Sequence, residues 1–251
     1  MAGHSKWANI KHKKAATDAK RGKMWSKLSK AIIVAAKQGG PDPAANIRLR
    51  TAIADAKAVS MPKDNIERAI AKGAGETDGD NYEEIIYEGY GPSGVAVMCD
   101  ILTDNRNRTA PELRKVFEKA GGEMGRTGCV SYLFDRKGLF VIDAQQFSEE
   151  QVMEVALEHG AEDIKDQDGT LEVICDPDAY TDIGDALEAA EIECLSKQVT
   201  RIPQNTVDLE LDDARKVLQL IEALDDHDDV QSVSANFNIS DEVMAELEAS
   251  G

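Results

Sequence analysis

Residues 138–202 read GLFVIDAQQFSEEQVMEVALEHGAEDIKDQDGTLEVICDPDAYTDIGDALEAAEIECLSKQVTRI, and their spacing decides the fold. Gly138–Ile142 reads as a strand, and Ser148–His159 as a helix begun by a Ser148/Gln151 capping box. Ala161–Lys165 and Thr170–Cys175 read as two strands, joined through Asp166-Gln167-Asp168-Gly169. That stretch opens like a calcium loop, but Pro177 stands where the bidentate Glu belongs, so a hairpin turn is expected. A helix over Asp178–Ala190 and a strand over Ile192–Ile202 complete the order β-α-β-β-α-β, the ferredoxin-like arrangement.

The same order recurs around this segment. Before it come a strand (Val95–Leu102), a helix (Pro111–Ala120, with Leu113, Val116 and Phe117 inward) and a strand (Cys129–Phe134). Thr109 and Glu112 form the capping box expected to start that helix. After it come a strand (Thr206–Leu209), a helix carrying Ala214, Val217, Leu218, Ile221 and Leu224, and a strand (Val230–Phe237). Ile85–Tyr90 adds a further strand. The head reads as helical. Trp25, Leu28, Ile32 and Ala35 share one face before Gly39-Gly40-Pro41, and Asp42 with Pro43 offers the cap and first turn of a second helix carrying Leu49, Ala52, Ile53, Ala56 and Val59. Pro62–Lys72 is a third helix. The fold class is therefore α+β: an N-terminal helical bundle followed by two ferredoxin-like α/β domains, one inserted into the other. The expected boundaries are 1–79 for the basic helical domain with its arm, 80–136 with 204–251 for the discontinuous domain, and 137–203 for the insert.

Charge divides the chain as sharply. Residues 1–72 hold 16 Lys and Arg against 5 Asp and Glu, a net of +11, while residues 73–251 hold 13 against 42, a net of −29. A cationic head can neutralise phosphates and release counterions, which points to a nucleic acid. Its candidate contacts are His4, Lys6, Trp7, Lys11, Lys13, Lys14, Lys20, Arg21, Lys23 and Lys27, a run that Lys30 continues with Asp18 as its sole acid. Trp25 falls in register with the core residues, so Trp7 is the candidate for stacking on a base. Arg106 and Arg108 form a second cationic spot before a helix N-terminus, with Arg126 as a third member. The alternative there is pairing with local acids such as Asp104.

Other chemistries lack their residues. Gly89-Tyr90-Gly91-Pro92-Ser93-Gly94 spells G-x-G-x-x-G, but a strand follows it where a dinucleotide site needs a helix N-terminus, so a tight turn is expected. Cys99, Cys129, Cys175 and Cys194 are far apart and read as buried thiols, and the four histidines make no ligand pair. Asp225-Asp226-His227-Asp228-Asp229 reads as a solvated loop. No cofactor, metal site or catalytic set is expected. No stretch reaches the roughly 18 apolar residues of a membrane span. The expectation is a cytoplasmic, non-enzymatic protein.

The chain resembles the YebC/PmpR family almost from end to end. The residues that carry the likeness are Gly3-His4-Ser5-Lys6-Trp7-Ala8-Asn9-Ile10, Gly39-Gly40-Pro41-Asp42-Pro43, Met61-Pro62-Lys63-Asp64-Asn65-Ile66, Tyr87-Glu88-Gly89-Tyr90-Gly91-Pro92, Thr103-Asp104-Asn105-Arg106-Asn107-Arg108-Thr109, and Gly121-Gly122 with Gly125 and Gly128. The resemblance implies three domains and a DNA-binding transcriptional regulator. Some relatives are translation factors on the ribosome, so structured ribosomal RNA is the alternative partner. A third reading is a protein-interaction module that uses the acidic domains.

Overall fold

In the computed structural model the described residues are 18–75, 81–167 and 169–249. Among the described residues three helices come first: α1 (Asp18–Gly39), α2 (Ile47–Ala58) and α3 (Lys63–Gly73). Their apolar stripes meet in a core built around Ile32, Leu49, Ala56 and Ile66. A Cβ at Gly73 would lie 2.4 Å from the Ile33 carbonyl oxygen, so glycine is what lets α3 approach α1 so closely. Trp25 packs on this core, and its indole N–H donates to the Val59 carbonyl at 3.2 Å. The α1–α2 corner differs from expectation. Asn46, not Asp42, caps α2: its Oδ1 accepts from the Leu49 N–H, and its Nδ2 donates to the carbonyls of Ala35 and Gly40, both at 2.8 Å. An aspartate has no donor with which to close that corner.

Two four-stranded antiparallel sheets follow. The inserted sheet runs β5-β6-β4-β7, from β4 (Phe134–Asp143), β5 (Ala161–Gln167), β6 (Thr170–Cys175) and β7 (Cys194–Pro203). Helices α5 (Glu149–Glu158) and α6 (Tyr180–Ala189) cover one face, burying Phe140, Val152, Val173, Ile183 and Leu187. The Ser148/Gln151 capping box is present. The host sheet runs β3-β1-β2-β9, from β1 (Glu83–Tyr90), β2 (Ala96–Thr103), β3 (Glu123–Met124) and β9 (Val230–Ala235). Helices α4 (Arg106–Lys119) and α7 (Leu211–Asp225) pack on it through Leu113, Phe117, Val217 and Ile221. A terminal helix, α8 (Asp241–Ala249), adds Val243, Met244 and Leu247 to the same core. The glycine motif at 89–94 is the tight connection between β1 and β2, where the Gly91 N–H meets the Val95 carbonyl at 2.7 Å.

The host domain departs from the sequence reading in three places. The short β8 (Val207–Asp208) leaves the main sheet and pairs with β10 (Phe237–Asn238), and β1 occupies the position a third strand would fill. Helix α4 starts at Arg106 rather than near Pro111. Asn105 caps it by accepting from the Arg108 N–H, and Thr109 is buried inside the helix. The strand expected over Cys129–Phe134 is a loop with a short 3-10 turn at Ser131–Leu133. Its amides serve the buried carboxylate of Glu88 instead of a ladder: the N–H groups of Gly128, Val130 and Ser131 donate to Glu88 at 2.7, 2.8 and 2.9 Å.

Asp55 of α2 gives a prediction on pH. Burial pushes its carboxyl up to about 6 against the charge of Lys197 in β7. A carboxyl that holds its proton more tightly when folded than when unfolded costs stability as pH climbs from about 4 to 6. Asp55→Asn is therefore expected to gain about 2–3 kcal/mol near pH 7.5 and almost nothing near pH 4, as read by paired thermal melts.

A candidate nucleic-acid interface

Lys23, Lys27 and Lys30 lie at i, i+4 and i+7 on α1 and share one stripe. That stripe faces the 225–229 loop at the end of α7. Lys30 Nζ lies 2.7 Å from Asp229 Oδ1, Lys27 Nζ 3.5 Å from Asp225 Oδ1, and Lys23 Nζ 3.7 Å from Asp226 Oδ1. The same ammonium groups donate to the carbonyls of Asp225, Asp226 and Asp228, among them groups that the last turn of α7 leaves open. From the other side Arg108 reaches Asp229 Oδ2 at 2.8 Å and Asp104 at 3.0 Å, while Thr109 donates to Asp229 at 2.8 Å. Burial opposes ionisation of Asp229, which is 2% exposed, but bonds from Lys30, Arg108 and Thr109 outweigh it and hold the carboxyl far below its ordinary range. The Asp229 N–H donates to His227 Nδ1 at 3.1 Å, so Nε2 carries the proton given to Glu112 at 3.0 Å.

This arrangement corrects one expectation and bears on a second. The 225–229 loop is no solvated tether, because it receives the lysines of α1. Lys23 and Lys27, expected to meet phosphate, are turned to the protein's own carboxylates, and the Lys27 side chain is only 14% exposed. Arg108 likewise pairs with acids, whereas Arg106 is exposed and has no ion pair among the described residues. Arg21 is exposed on α1. His4, Lys6, Trp7, Lys11, Lys13 and Lys14 lie outside the described residues, as does the side chain of Lys20. Arg126 does not join Arg106. The loop carrying it follows β3, which pairs with Gly89 and Tyr90, while Thr103 pairs with Glu83 at the opposite end of β1. Helix α4, about 21 Å long, spans the gap.

A single division at Lys72 hid one feature. Residues 106–137 carry 8 Lys and Arg against 4 Asp and Glu, so they hold most of the 13 cationic residues beyond residue 72. A charge count over short windows would have found this tract.

The polar cleft between α1 and the loop, about 580 Å³, sets Lys23, Lys30 and Arg108 against the five carboxylates of Asp104, Glu112, Asp226, Asp228 and Asp229. Carboxylates outnumber cations, so it does not suit an anion. Among the described residues no cluster of His, Cys, Asp and Glu is placed to hold a metal ion, and no helix is long and apolar enough to cross a membrane. Burial raises the pKa of all four thiols, that of Cys175 to about 11, so none is activated as a thiolate.

The described residues thus form a basic helical bundle followed by two α/β units, each built on a four-stranded antiparallel sheet. Residues 5–76 match the TACO1/YebC protein N-terminal domain, and residues 82–237 match the TACO1/YebC second and third domain. The chain belongs to the TACO1/YebC family. It is 62% identical over 247 residues to a "Probable transcriptional regulatory protein" of Rhodopirellula baltica, covering 98% of this chain and 100% of that one. A protein of the same description from Geobacter sulfurreducens is 54% identical, with 98% and 100% covered. The crystal structure of a conserved hypothetical protein from Aquifex aeolicus superposes with a TM-score of 0.85 at 50% identity, over 95% of this chain and 98% of that one.

Proposed function

We propose that this chain is a non-enzymatic, cytoplasmic regulator of gene expression that binds nucleic acid through its basic head, as a DNA-binding transcriptional regulator of the YebC type. The observation that carries the reading is the charge division, +11 over residues 1–72 against −29 beyond. An acidic body repels a polyanion, which favours approach from the head side. With Lys23, Lys27 and Lys30 given to the acidic loop, the contacts fall to the residues before them. The relatives' descriptions agree with a regulator.

A second reading, a ribosome-associated translation factor binding structured RNA, is favoured by one observation. The head sequence spaces no set of base-reading Asn, Gln or Arg along a groove-facing helix, so major-groove recognition has no residue set behind it. The test compares promoter DNA with ribosomes over a salt series. Tight, sequence-selective binding of the promoter supports the first reading, and sequence-blind DNA binding with preference for ribosomes supports the second. In either case Lys11, Lys13 and Lys14 changed together to Ala should flatten the slope of log affinity against log salt, by roughly two to three units on duplex. An unchanged slope removes these lysines from the interface.

A further inference from the structure

We propose that the acidic 225–229 loop is an internal competitor, which holds Lys23 and Lys27 of α1 back from a nucleic-acid backbone and so lowers the affinity of the head. The proposal rests on the nucleic-acid reading above and adds an autoinhibitory contact to it. The head's phosphate track is then longer than the resting structure displays.

Three observations converge here. The first is continuity. Lys20, Arg21, Lys23, Lys27 and Lys30 follow one another along a single helix, and the sequence places no acid between Asp18 and Asp42. Lys23, Lys27 and Lys30 leave that helix about 4–6 Å apart along its axis, so a row of anions is needed to answer them. A nucleic-acid backbone is such a row. So is the loop, with Asp225, Asp226, Asp228 and Asp229 in five residues. The second is the chemistry of the contact, in which each ammonium meets both a charged oxygen and a neutral one. Lys30 has Asp229 Oδ1 at 2.7 Å and the Asp228 carbonyl at 2.9 Å. Lys23 has Asp226 Oδ1 at 3.7 Å and the Asp226 carbonyl at 3.2 Å, and Lys27 meets the carboxylate and the carbonyl of Asp225.

The third observation is a gradient along the row. Lys30 is fixed: its partner Asp229 is buried, and its ammonium also lies over the Tyr82 ring, 5.7 Å from the centroid. The Lys27 and Asp225 side chains are 14% and 24% exposed, and those of Lys23 and Asp226 are 50% and 58% exposed. An exposed ion pair contributes little to stability, and a lysine on its flexible stem exchanges one anion for another by turning its side chain. Release therefore starts at Lys23, beside Lys20 and Arg21, where a strand bound to the head is met first. Each lysine passed to a phosphate leaves a carboxylate close to the polyanion. The loop thus opposes binding twice, by occupying the lysines and by repelling the strand.

The test uses the full chain and fluorescence anisotropy over a salt series, with a labelled mixed-sequence DNA duplex and a labelled RNA hairpin as probes. Asp225→Asn with Asp226→Asn keeps the loop carbonyls and removes the two outer charges. It should tighten binding roughly 3- to 30-fold and steepen the slope of log affinity against log salt by roughly one to two units on duplex. Asp226→Asn alone touches only the exposed pair, so it should melt like the wild type and still give part of the gain. Lys23→Ala with Lys27→Ala should cost the wild type at most about twofold, yet abolish the gain in the Asn background, because the lysines and the loop act as a coupled set. Glu154→Gln with Glu158→Gln makes the same charge change on exposed positions of α5 and should leave the slope as it was. Affinity that rises in neither Asn variant overturns the proposal, as does a gain that survives loss of Lys23 and Lys27 or that the α5 variant matches. In those cases the basic head stands and only the role of the loop fails. A chain that binds neither probe, with or without the Asn changes, ends both readings.

Discussion

Asp229→Ala is expected to destabilise the protein by about 3–5 kcal/mol, because removing one partner of a buried charge set strands the rest. Lys30 and Arg108 both converge on this carboxylate, at 2.7 and 2.8 Å, and the Lys30 side chain is only 16% exposed. Thr103 and Thr109 would lose their shared acceptor as well. Thermal melts should show a fall of roughly 6–20 °C, taking about 2–4 °C per kcal/mol for a chain of this size. The pH dependence follows from the sign of the shift. Asp229 has a folded pKa below its unfolded one, so its contribution is present above about pH 4 and is lost as pH falls further. The wild type and the Ala variant should accordingly converge in stability on acidification. Parallel curves with a constant gap would mean that the contribution is packing rather than charge.

Glu88→Ala should cost a similar amount, about 3–5 kcal/mol, for a different reason. Three main-chain donors would lose a charged acceptor inside the protein, where each such bond contributes on the order of 1.5–3 kcal/mol and water can replace only part of it. Glu88→Gln keeps one acceptor oxygen and is expected to lose about half as much. Burial works against the Glu88 charge, but the amides of Gly128, Val130 and Ser131 prevail and lower its pKa, so this stabilisation also fades on acidification. Hydrogen exchange separates local from global damage: the amides of Gly128, Val130 and Ser131 should exchange much faster in Glu88→Gln, with those of β2 and β9 little changed. Uniform acceleration would show that the loop is not an independent unit.

The sequence was most readable where one local rule suffices. The short, largely apolar run over Leu171–Cys175 marks a strand, Ser148 with Gln151 marks a helix start, and apolar residues at helical spacing mark α1, α3 and α7. It was least readable where a local signal had a distant competitor. Thr109 has the spacing of a capping residue, yet its hydroxyl goes to Asp229, 120 positions away, and Asn105 takes the cap. Val130 looks like part of a strand, but its N–H serves Glu88, 42 positions earlier. The acidic run at 225–229 looks like solvent-facing sequence until α1 is laid against it. Nothing in the local pattern around Lys23 and Lys27 distinguishes a lysine that will meet phosphate from one that will meet aspartate. That choice is made by packing.

The place where the insert joins its host has a further consequence. Phe134 lies opposite Pro203 in the inserted sheet, and the Gln204 N–H meets the Leu133 carbonyl at 2.8 Å. Entry and exit are thus neighbours, and the host chain experiences the whole of residues 134–203 as a bend between the loop that ends at Leu133 and the segment that leads to β8. Left unstructured, a loop of that length would cost about 4 kcal/mol in closure entropy each time the two halves of the host came together. Once folded, it acts as a clasp of fixed width. Its outer surface is free to lengthen, shorten or change sign without moving the two chain ends it joins.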